Sequence, residues 1–275
     1  MLQTGAPAHR GLEVPMIELS LEIAALLALA AFLAGFIDAI AGGGGLITVP
    51  ALLLAGFDPV VALGTNKLQS LFGSGSATLA YAAKGHVHLR RQLPAAVASC
   101  LGAVAGAMLA TVLPDTVLKT VLPVLLVAIA LYFAFKPSLS DIDRAERIGP
   151  FLFSLTAVPL IGFYDGVFGP GTGSFFMLAY VGLAGYGVLK ATAHTKVMNF
   201  ASNIGAFAAF AAVGVIAWKA GLVMGVMQFA GARLGAHFAM RNGARIIKPL
   251  LVVSCTILAV RLVMDPANPL RALLP

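Results

Sequence analysis

Two lysines, Lys67 and Lys196, stand in stretches otherwise built from apolar and small residues. Asn66, Gln69 and Ser70 lie within a turn of the first; His194, Thr195, Asn199, Ser202 and Asn203 lie within two turns of the second. A cationic amine among neutral amide and hydroxyl donors is a set suited to holding an oxyanion. Upstream of each lysine an aspartate precedes a run of glycines: Asp38 before Gly42-Gly43-Gly44-Gly45, and Asp165 before Gly169-Pro170-Gly171-Thr172-Gly173. Such a cluster interrupts a helix and leaves backbone N–H groups without partners, and the short helix beyond it starts with a positive partial charge. Gly43, Gly44, Gly45, Gly171, Thr172 and Gly173 are therefore candidate anion contacts.

Asp38 and Asp165 fall at helix C-termini, where the macrodipole disfavours a negative charge. That implies a nearby cation or a proton, so both are candidates for ion coupling. A second reading makes them structural ion-pair partners of the lysines, and the two readings are compatible. The glycine runs do not fit a Walker or Rossmann phosphate loop, since neither Gly-Lys-Ser/Thr nor the third-glycine spacing follows. His194 matches Thr65 in the other copy, and no His/Cys/Asp spacing suggests a metal. Nothing pairs a nucleophile with a base, so neither an enzyme nor a cofactor is expected.

These elements need a setting. Of 275 residues, 60% are hydrophobic and only 11% charged, well away from the balance of soluble domains. The chain reads as an all-α polytopic membrane protein whose partner is the lipid bilayer. Its net charge of +7 comes from Lys and Arg in short loops between apolar runs, not from a basic face for nucleic acid. Cys100 and Cys255 lie inside apolar runs and read as small packing residues. Ionisable groups at membrane depth cost at least ~2.5 kcal/mol and are functional by default, which sharpens the interest in the lysines.

The order along the chain is a polar segment over residues 1–15, then an apolar helix from Met16 to Ala41 that reads as membrane-spanning rather than a cleaved signal. After the first glycine break, Leu46–Ala55 is long enough for only half a bilayer, ~15 Å. Asp58-Pro59 is an N-cap followed by a first-turn proline, opening a helix to about Lys84 that carries Lys67 ~12 Å inward. Helices over Leu93–Leu113 and Val117–Phe135 follow. The polar linker 136–149 offers Ser140 and Asp143 as a capping box for a short surface helix. A second membrane region then spans 150–264, and 265–275 is a tail.

The second region repeats the first, residues 16–135. Gly35 matches Gly162, Lys67 matches Lys196, and Gly85, Gly102, Gly106, Lys119 and Leu122 match Gly214, Gly231, Gly235, Lys248 and Leu251. Agreement at glycines and lysines inside hydrophobic sequence marks an internal duplication. If the copies are inverted, inner loops hold Lys84, Arg90, Arg91, Lys136, Arg144, Arg147, Lys190, Arg241, Arg245 and Lys248, leaving Lys119 and Lys219 outside. A parallel arrangement divides them almost evenly; counting the terminal Arg10, Arg261 and Arg271 makes the two arrangements equal, but loop charges close to helix ends count most and favour inversion, with both termini outside. Gly102-x-x-x-Gly106 and Gly231-x-x-x-Gly235 read as close helix packing.

The strings Gly35-Phe-Ile-Asp38-Ala-Ile-Ala-Gly-Gly-Gly-Gly45 and Thr65-Asn66-Lys67-Leu-Gln69, with Gly162-Phe-Tyr-Asp165-Gly-Val-Phe-Gly169-Pro170-Gly171 and Lys190-Ala-Thr-Ala-His194-Thr195-Lys196, resemble the sulfite exporter TauE/SafE family over about residues 20–265. The resemblance implies a bacterial inner-membrane secondary transporter of sulfite, a sulfonate, sulfoacetate or a similar small sulfur-containing anion. It leaves room for a homodimer. An anion channel and a non-transporting membrane scaffold are the alternatives. The second glycine run departs from the first at Pro170 and Thr172, so the two half-sites need not contribute equally.

Overall fold

The computed structural model describes residues 20–114 and 142–242, together with 117 and 121. The expected helix Val117–Phe135, the Lys119–Lys248 match, Cys255, the polar N-terminal segment and the tail lie outside the described residues. Among those described, all regular structure is helical.

Helix α1 (Leu21–Ala41) starts at Ser20, whose Oγ accepts from Ile23 N, and stops at Gly42, where φ is +82°. The ten residues of α2 (Gly45–Leu54) follow the break. Asp58 and Pro59 open α3 (Pro59–Ala83) as expected, and α4 (Leu89–Val112) begins a turn ahead of Leu93 with Pro94 inside it. Beyond the linker come α5 (Pro150–Leu155), α6 (Ala157–Val167), α7 (Thr172–Gly182), α8 (Val188–Val213) and α9 (Trp218–Asn242). Four stretches, Leu21–Ala41, Leu89–Val112, Pro150–Val167 and Val188–Val213, are long and apolar enough to cross a membrane. Large apolar side chains such as Leu26, Leu29, Leu101, Leu160 and Val226 point outward.

The helices pack across the boundary between the sequence halves. On α1, the carbonyls of Phe32 and Phe36 press on Gly231 and Gly235 of α9; on α6, the carbonyls of Pro159 and Phe163 press on Gly102 and Gly106 of α4. Residue numbers rise together at both seams, so each pair is parallel. A Cβ on any of these four glycines would stand 2.0–2.3 Å from a main-chain oxygen, so the sequence had to leave them bare.

Where α3 meets α8, the numbers run in opposite senses. Gly64 lies against Val215 O and Phe210, Gly75 against the Phe200 ring, and Ala217 N donates to Thr65 Oγ1. The lysine-bearing helices are therefore antiparallel. Asn66 Nδ2 of α3 donates to Thr48 Oγ1 of α2 at 2.7 Å, tying the short helix to its long neighbour.

The linker departs from expectation, because residues 142–149 contain no helix. The Asp143 carboxylate does not start a helix of its own; it accepts from Gly187 N (2.6 Å) at the N-terminus of α8 and pairs with Lys190 (2.7 Å). Arg144 N and Arg147 N donate to Gly185 O and Leu183 O. Residues 142–149 thus lie as a strap over the turn between α7 and α8.

Candidate functional site

The two glycine breaks meet each other. A Cβ on Gly42 would collide with Gly173 and Ser174, and one on Gly45 would touch Pro170. Ser174 Oγ donates to Ala41 O, stitching the second break to the end of α1. Positive φ at Gly42, Gly43, Gly169 and Gly171 lets the chain turn there without strain. Two tyrosines hold the breaks in place: Tyr81 OH donates to Ala39 O (2.9 Å) and Tyr164 OH to Pro170 O (2.6 Å).

Both lysines are paired, and the pairs are crossed between halves. Lys67 Nζ lies 2.7 Å from Asp165 Oδ1, and Lys196 Nζ lies 3.1 Å from Asp38 Oδ2 while also donating to the Asp38 main-chain oxygen. Lys67 is 1% exposed and Lys196 0%. An ammonium buried this deeply needs a carboxylate partner, and each lysine has one. The sequence left the choice of aspartate open. The fold settles it, because α3 and α8 each reach the break contributed by the other half. Asp38 Oδ1 accepts from Gly44 N (3.2 Å), the free donor that the break was expected to leave.

Between the breaks is a polar cavity of about 20 Å³, room for about one water. Of the residues singled out in the sequence, Asp38, Asp165, Gly43, Gly44, Gly45, Gly171, Thr172, Gly173, Asn66, Lys67, Ser70 and Asn199 line it. Lys196 lies behind Asp38, outside that lining. Gln69 and Thr195 are buried on their helices away from the cavity, their side-chain polar atoms without partners. His194 is also elsewhere. Its ring packs on Tyr180 and Tyr186, with Nδ1 2.8 Å from Lys190 O, because helical spacing turns it away from Asn199 and toward the strapped turn.

Gln228 of α9, together with Gly169 and Asn203, completes the lining. Gln228 was missed in the sequence, although a lone amide in Met224-Gly-Val-Met-Gln228-Phe-Ala is the signal that could have found it. Its Oε1 and Asp165 Oδ2 are both buried with no protein partner. The Thr172 hydroxyl stands 2.7 Å from Asp165 Oδ1 and 2.6 Å from Gly169 O, with one proton to give. The arrangement can bind a small polar species through an ammonium, amides, hydroxyls and peptide N–H groups.

The chain is 62% identical to a "Probable membrane transporter protein ORF9" of Sinorhizobium sp over 93% of its length and 98% of that protein's. It is 46% identical to a "Probable membrane transporter protein" of Haemophilus influenzae, over 90% and 97%. With the "Probable membrane transporter protein YfcA" of Escherichia coli it shares 44% identity over 86% and 87%. No solved structure matches it. The family model described as "Sulfite exporter TauE/SafE" matches residues 27–262, and the chain belongs to that family.

Proposed function

We propose that this membrane protein transports a small sulfur-containing oxyanion, of the sulfite or sulfonate class, by alternating access around the cavity between the breaks. The observation that carries the reading is the pair of crossed, buried lysine–aspartate contacts at a polar cavity. A buried ammonium held only by a carboxylate is a ready partner for another oxyanion, and the surrounding amides and hydroxyls complete an anion's shell. A hollow with room for about one water suits a carrier better than an open pore. The antiparallel course of α3 and α8 supports two inverted repeats as the moving units. The reading puts the chain in a bacterial inner membrane with its basic loops inside.

Charge balance argues for coupling. Lys67, Lys196, Asp38 and Asp165 in their charged forms sum to zero, so an entering monoanion leaves the site one negative charge in excess. A carboxylate that gives up its ammonium partner away from water takes a proton in preference to staying bare. Asp165, the partner that Lys67 would leave, is the group to carry it, making transport proton-linked.

The test is flux of labelled sulfite and methanesulfonate in proteoliposomes. Lys67→Ala abolishes flux while the purified protein keeps its helical signal and monodispersity. Unchanged flux in that variant would assign Lys67 to structure and remove the main support for the reading.

A further inference from the structure

The two ion pairs correspond in sequence but not in surroundings, and we infer that they have different jobs. Lys67–Asp165 opens to take the anion, whereas Lys196–Asp38 stays closed as a brace for the first break. The inference rests on the transport reading above and deepens it.

Four observations carry it. Lys67 forms part of the cavity wall and Lys196 does not. Asp38 also lines the cavity, but both its carboxylate oxygens are committed, Oδ1 to Gly44 N and Oδ2 to Lys196, and Lys196 is held a second time by the Asp38 main-chain oxygen. Asp165 is less fully used: Lys67 and Thr172 converge on Oδ1, and Oδ2 has no protein partner. The clearances differ in the same sense. A Cβ at Gly169 would stand 2.8 Å from Lys67 Nζ, so that bare position leaves room for the ammonium to swing. Its counterpart Gly42 is filled by Gly173 and Ser174 of the other break.

Thr172 supplies the missing step. Its hydroxyl lies within reach of both Gly169 O and Asp165 Oδ1. When Lys67 turns toward an anion, the Thr172 hydroxyl can donate its hydrogen bond to the deserted carboxylate rather than to Gly169 O, so the aspartate is never left without a donor. The matching position in the first break is Gly45, which has no hydroxyl. The departure of the second glycine run from the first is thus a working difference between the half-sites.

The test removes each pair as a neutral unit, which avoids stranding a buried charge. Lys67→Met/Asp165→Asn and Lys196→Met/Asp38→Asn are purified in detergent, and sulfite and methanesulfonate binding is measured by calorimetry alongside the melting temperature. The first variant should melt close to the parent and bind at least about tenfold more weakly. The second should melt lower, with its Kd within about threefold of the parent. Equal weakening in both, or retained binding in the first, overturns the division of labour. Absence of binding by the unmodified protein instead overturns the oxyanion reading, and this inference with it. Should the second variant fail to fold, Thr172 decides: Thr172→Val should weaken binding without lowering the melting temperature and Thr172→Ser should restore it. An unchanged Kd in Thr172→Val overturns the assignment.

Discussion

Glycine does opposite things at the helix seams and at the central breaks. At the seams, Gly102, Gly106, Gly231 and Gly235 are helical residues whose value lies in the side chain they lack, since each lets a neighbouring main-chain oxygen approach. At the breaks, Gly42, Gly43, Gly169 and Gly171 hold left-handed backbone that ends one helix and starts another. The seams fix where the helices stand; the breaks expose peptide groups and carboxylates at the point where the two halves meet. A rigid frame of parallel seams around an irregular centre is what irregular backbone away from water requires.

The largest effect should come from the seams. A side chain at Gly106 would meet Phe163 O at 2.0 Å, and one at Gly235 would meet Phe36 O at 2.2 Å, both immovable without separating the helices. Gly106→Leu and Gly235→Leu should each destabilise by ~3 kcal/mol or more, read as loss of monodisperse protein and a collapsed melting temperature. Because the contacts match, the two variants should behave alike. A mild effect in either would mean that the seam can spread and the contrast with the breaks is one of degree.

The breaks should show a smaller cost in stability and a larger one in function. Gly169 and Gly56 both have positive φ, +87° and +91°, but Gly169 faces Lys67 Nζ whereas nothing lies within 4 Å of the position a Cβ would take on Gly56. An alanine at either pays the left-handed penalty of ~1–2 kcal/mol. Gly169→Ala should therefore melt near Gly56→Ala yet bind sulfite more weakly, because the added methyl crowds the ammonium. Equal binding in the two variants would separate Lys67 from the anion.

Much of this was legible in the sequence because membrane chains leave few polar residues to interpret. Asp38, Lys67, Asp165 and Lys196 stand out by charge alone, and the breaks stand out because uninterrupted helices avoid both four consecutive glycines and a Gly-Pro-Gly run. The partner choice was not legible. Spacing along one chain places Lys67 and Asp38 in the same half, and only the antiparallel meeting of α3 with α8 delivers Lys67 to Asp165 and Lys196 to Asp38. His194 was misjudged for a related reason: proximity in sequence to Lys196 says nothing about which face of α8 turns toward the cavity. Gln228 was overlooked because its helix was read for its Gly231-x-x-x-Gly235 seam. The Asp143 capping box failed because its carboxylate is taken up at the α8 N-terminus, where Gly187, with no side chain to offer, stands at the position that Asp58 holds at the head of α3.

That substitution gives the smallest and most local prediction, away from both seams and breaks. Asp143 caps α8 from the linker, and the Lys190 ammonium, followed by the Gly187 N–H, holds its carboxyl below the usual aspartate range. A folded-state pKa lowered in this way contributes stability above the ordinary aspartate value, and that contribution is lost only as pH falls through the lowered one. The clip should thus be fully present from neutral pH down to about pH 4 and disappear in stronger acid. Asp143 and Lys190 are about half exposed, so solvent screening keeps the contribution under ~1 kcal/mol. Asp143→Asn should leave the melting temperature nearly unchanged while the amide hydrogens of Arg144, Arg147 and Gly187 exchange faster at pH 7. Unaltered exchange at those three amides would show that the strap is held by its main-chain bonds to Leu183 and Gly185 alone.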